Sequence, residues 1–151
     1  MTQKDKMNKL AVGLVISNLV VGTVMAHELG FTLDGAGNNP NAVALGAISC
    51  GNDGNGPADR LTIQITDLSV PVSGMLLSAQ ILKNNKMINV TDPVSGDGKG
   101  SSFVSLKGGA GSYYVSINKT AEGSRNVFLT YHCETAEGNH TGTDVVGYQL
   151  D

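Results

Sequence analysis

The chain has 151 residues, with 10 Lys+Arg against 13 Asp+Glu for a net charge of −3, 20 glycines, two cysteines and no tryptophan. That length accommodates one leader and one domain with one core rather than two domains. An acidic surface without a Lys/Arg cluster argues against nucleic acid as a partner and against docking on anionic lipid.

In chain order, the first 26 residues read as a secretory signal peptide. Lys4, Lys6 and Lys9 outweigh Asp5, Leu10 to Met25 is mostly apolar, and Val24-Met25-Ala26 satisfies the small-residue cleavage rule. The apolar run of 16 residues, interrupted by Ser17-Asn18, is shorter than the roughly 20 needed to span a bilayer. The expected product is residues 27–151, with 7 basic against 12 acidic residues and a net charge of −5, because three lysines and one aspartate leave with the leader. An exported chain of this kind works in the periplasm or outside the cell, with no membrane span of its own.

Beyond the leader, alternation with a period of two predicts strands. Arg60 to Leu68 puts Leu61, Ile63 and Ile65 on one face, and Ser112 to Asn118 does so with Tyr113, Val115 and Ile117. Arg125 to Cys133 aligns Val127, Leu129, Tyr131 and Cys133. Less regular strands are expected at Leu29 to Leu33, Ala42 to Cys50, Gly74 to Lys83, Met87 to Thr91, Ser101 to Lys107 and Thr141 to Leu150. Stretches rich in Gly, Asn, Asp and Pro separate them, and no segment holds a helical period. The expected fold is all-β: a single antiparallel, immunoglobulin-like β-sandwich of about eight or nine short strands over 27–151.

Two cysteines in an oxidising compartment predict one disulfide, Cys50–Cys133. Tyr131 precedes Cys133 by two residues and resembles the tyrosine corner of immunoglobulin-like domains, although no tryptophan is present to pack on the bond. Gly30-Phe31-Thr32-Leu33-Asp34 is similar to the start of a type IV pilin, but Gly35 to Asn41 follows where that family has an apolar helix.

Cleavage after Ala26 would leave His27 first, with an α-amine and an imidazole able to chelate one ion together. A further histidine nitrogen would complete a tetragonal nitrogen set, the geometry that suits Cu(II). The arrangement resembles the histidine brace of periplasmic copper carriers and copper-dependent polysaccharide oxygenases. The other histidines, His132 and His140, both lie in the segment Tyr131 to His140, with Glu134 and Glu137 nearby as oxygen donors. Alternation aims His132 away from the core face, open to solvent or a ligand. The expected metal residues are therefore His27, His132 and His140. A second choice is calcium in two turn-rich loops, through Asp53, Asn55 and Asp59 or through Asp92 and Asp97.

No Gly-x-Ser-x-Gly elbow or phosphate-binding glycine loop occurs, so no turnover is expected; a hydrolase or copper oxygenase is a distant alternative. The first functional expectation is a copper-binding or copper-carrying exported protein whose partner is a metal ion or another protein. The alternative is a structural or adhesive subunit that self-associates by strand addition into a fibre at the cell surface. The alternating segment Leu29-Gly-Phe31-Thr-Leu33 and the Gly/Asn-rich linker after it suit that second role.

Overall fold

A computed structural model describes residues 27–150, so the expected leader lies outside the described residues. Ten strands follow in order: β1 (His27–Leu33), β2 (Val43–Cys50), β3 (Arg60–Asp67), β4 (Leu77–Lys83), β5 (Lys86–Thr91), β6 (Val104–Lys107), β7 (Gly111–Lys119), β8 (Arg125–Glu134), β9 (His140–Thr141) and β10 (Thr143–Leu150). All nine expected strands are present, the last of them divided into β9 and β10 at Gly142. Residues 74–76 and 101–103 are loop rather than strand. The left-handed φ of Gly74, 78°, delays the entry into β4. No helix among the described residues is long and apolar enough to cross a membrane.

The strands form two antiparallel sheets that pack face to face as a β-sandwich. One has the order β1-β8-β3-β6, with β9 added to the end of β8, and the other is β10-β2-β7-β4-β5. Period-two alternation drives the packing. Leu61, Ile63 and Ile65 of β3 meet Leu77, Ala79 and Ile81 of β4 and Tyr113, Val115 and Ile117 of β7 in one buried core. Leu29, Phe31 and Leu33 of β1 close it along one side.

In the notation of immunoglobulin constant domains, with sheets ABED and CFG, β2, β7 and β4 take positions B, E and D, and β3 and β8 take C and F. The Cys50–Cys133 bond joins B to F, at a Cα separation of 5.5 Å across the two sheets. The outer positions are filled from the opposite ends of the chain. β1 occupies the G place beside β8, and β10 occupies the A place beside β2.

The two ends of the sandwich differ in character. At one end Lys119 and Asp34 form a wholly buried ion pair, and Arg125 pairs with Asp67. Arg125 also donates to Val70 O and Ser95 Oγ, which fixes the apolar loop after β3. The register His27↔Tyr131 and the disulfide place the start of β1, the end of β8 and both remaining histidines at the other end.

Candidate metal centre

His132 lies on β8, opposite Thr62 of β3, on the face turned away from the core. It is nevertheless only 8% exposed, so the expectation of an open histidine needs correcting. β9 doubles back antiparallel to β8 with Glu134↔His140 in register, which lays the His140 ring on His132 at a centroid distance of 4.2 Å. Phe103, just before β6, covers a further side at 6.0 Å.

Glu134 lies two residues along the same face, as the strand period requires, and its Oε1 is 2.9 Å from His132 Nε2. The other carboxylate oxygen accepts from Arg60 Nε. Burial raises the Glu134 pKa, but the bonds from Arg60 and His132 outweigh it and hold the carboxyl below its usual range. An ionised carboxylate only accepts, so Nε2 of His132 must carry the proton and donate. Burial also lowers the His132 pKa, helped by the neighbouring His140 and, more weakly, His27, against the opposing pull of Glu134. At neutral pH the ring is therefore mostly uncharged and its lone pair is on Nδ1. That atom is buried and has no hydrogen-bond partner.

One donor atom each from His132, Glu134 and His140 lies within 4.8 Å of the others, and this is the one such His/Glu group among the described residues. Two donors on a single first-row ion at 2.0–2.1 Å can be at most about 4.2 Å apart. Loading thus requires the three side chains to draw together and the two stacked imidazoles to turn toward a common point. Glu134 is already engaged by Arg60 and His132, an arrangement that orients a ligating histidine and raises its donor strength.

His27 is not part of this group. In register with Tyr131 it shares that residue's face, and its ring stacks on the tyrosine at 5.7 Å. It is close enough to His132 for its charge to disfavour protonation there.

The loop carboxylates first considered for calcium are engaged in turns and ion pairs. Asp53 Oδ1 accepts from Asn55 N–H and Thr141 Oγ1, and Asp97 Oδ1 accepts from Lys99 N–H. Asp59 pairs with Arg60 and Lys107. Asp92 is buried and accepts from the backbone of Asp67 and Val94.

Sequence reasoning missed Arg60 and Phe103, because neither is near the histidines in the chain. Only the β3–β8 register brings Arg60 opposite Glu134. The chain matches no protein-family model, and no curated protein and no solved structure is significantly similar to it.

Proposed function

We propose that this chain is an exported β-sandwich that binds Cu(II) at the His132–His140 pair and holds or carries it without turnover. The observation that carries the reading is the buried, unpartnered Nδ1 of a neutral His132 beneath the stacked His140 ring. Two imidazoles, with Glu134 orienting one of them, give a nitrogen-rich donor set of the kind copper prefers over calcium or magnesium. Cleavage after Ala26 would put the α-amine of His27 at the same end of the sandwich. Rotation of that residue off Tyr131 would then add two nitrogens to the two imidazoles and complete a tetragonal set.

The test is Cu(II) titration by calorimetry and EPR on protein starting at His27, beside His132→Ala, His140→Ala and a form with one residue added before His27. The expected result is one-to-one binding with a tetragonal nitrogen spectrum, weakened at least tenfold in both alanine variants. Loss on extension assigns the terminal chelate; unchanged binding on extension confines the site to His132 and His140. Equal binding by the parent and both alanine variants refutes the reading.

A further inference from the structure

We propose that β1 exchanges between copies of this chain, so that His27–Leu33 of one molecule fills the place beside β8 of the next. The occupant of that edge is thus a second copy, and the inference stands independently of metal binding.

The topology carries the argument. Of the described strands, β1 is first in the chain, pairs with β8 alone and forms the edge of its sheet. It fills the G place, which in the immunoglobulin order belongs to the strand that follows F. Within the described residues its one covalent tie to the sandwich is the linker 34–42. Those nine residues reach about 30 Å when extended, more than the roughly 10 Å between packed sheets. The linker is therefore long enough for β1 to leave its own sandwich.

β1 also has the chemistry of an insertable strand. Leu29, Phe31 and Leu33 alternate into the core, and the intervening Gly30 and Thr32 are exposed. A small apolar groove, partly open to solvent, lies between β1, β2 and β10, bounded by Leu29, Phe31, Leu45, Ile48, Leu129 and Val145.

The closed linker requires a left-handed backbone at Asp34, φ 53°, in a residue with a side chain. Opening the linker releases that constraint. The turn bonds from Asn38 and Asn39 N–H to the Asp34 carboxylate and from Gly37 N–H to Asp34 O are lost, and these donors pass to water in the opened linker. Every β1–β8 pairing, and the buried Lys119–Asp34 pair, re-forms between molecules, since Asp34 follows β1 directly. Exchange within a closed pair gives a dimer and open-ended exchange gives a fibre, and the balance with the monomer depends on concentration.

Thr32 and Asn126 face each other across β1 and β8 with side-chain oxygens 3.1 Å apart, so cysteines there report who supplies β1. Full chains carrying Thr32→Cys or Asn126→Cys, with different tags, are co-expressed beside the double variant, and bonds are read on non-reducing gels and by peptide mass spectrometry. The expected result is a 32–126 bond between differently tagged chains, increasing with concentration, and a covalent ladder in the double variant. Both should persist in EDTA. A bond formed only within single chains of the double variant, with none in the mixture at any concentration, overturns the proposal. So does a double variant with no 32–126 bond, or a ladder abolished by EDTA.

Discussion

His132 and Glu134 show how two neighbouring groups set each other's protonation. The carboxylate accepts the Nε2 proton and so fixes the tautomer, while its charge opposes the fall in the imidazole pKa caused by burial. Replacing Glu134 by Gln removes that opposition, so His132 should titrate at a lower pH than in the parent, as read by imidazole NMR shifts. At the other end, burial raises the Asp67 pKa, but bonds from Ser69 and Arg125 bring it below 3.8. A carboxyl depressed in this way stabilises the fold fully above its unfolded pKa, and the contribution is lost as pH falls through the lower folded value. Asp34 behaves alike, held down first by Lys119. Acid unfolding should therefore steepen below about pH 4, and Asp67→Asn should flatten that limb in a denaturant series across pH. Arg125→Ala at neutral pH leaves a buried carboxylate unpaired and should cost about 3–5 kcal/mol in the same assay.

At the level of elements, the loops that cap the strands are built as tightly as the sheets. The loop after β3 and the loop after β5 interlock at Gly96, where φ is 65° and a β-carbon would fall on Ser69 O and the backbone of Pro71. Any β-carbon there collides with backbone in a conformation that L residues rarely adopt. Gly96→Ala should lower stability by at least about 2 kcal/mol, measured by chemical denaturation. The β8–β9 turn does comparable work for the histidines. Thr135 N–H and Gly138 N–H close it through Asn139 O and Thr135 O, and this doubling back sets His140 over His132. The separation of seven between Cys133 and His140 is enough to suggest a hairpin with both histidines at one end. The expected exposure of His132 fails, because the Phe103 that covers one side of it arrives from 29 residues earlier in the chain.

For the whole molecule, the disulfide is the main constraint between the sheets. It closes a loop of 83 residues, and on the chain-entropy view its removal should cost roughly 4 kcal/mol. A Cys50→Ala/Cys133→Ala variant should lose about that amount in equilibrium unfolding. The sequence by itself determined the all-β class, nine strand positions, their inward residues and the cysteine pair. These follow from period-two alternation, glycine-rich turns and redox chemistry, which are local properties of the chain. Tertiary structure alone decided which strands are neighbours, and from that followed the rest. It buried His132, set Arg60 on Glu134, turned the His27 ring to Tyr131 and gave the G place to β1. Strand order and register depend on pairings between residues far apart in sequence, where the two-residue period repeats identically in every strand and distinguishes no partner from another.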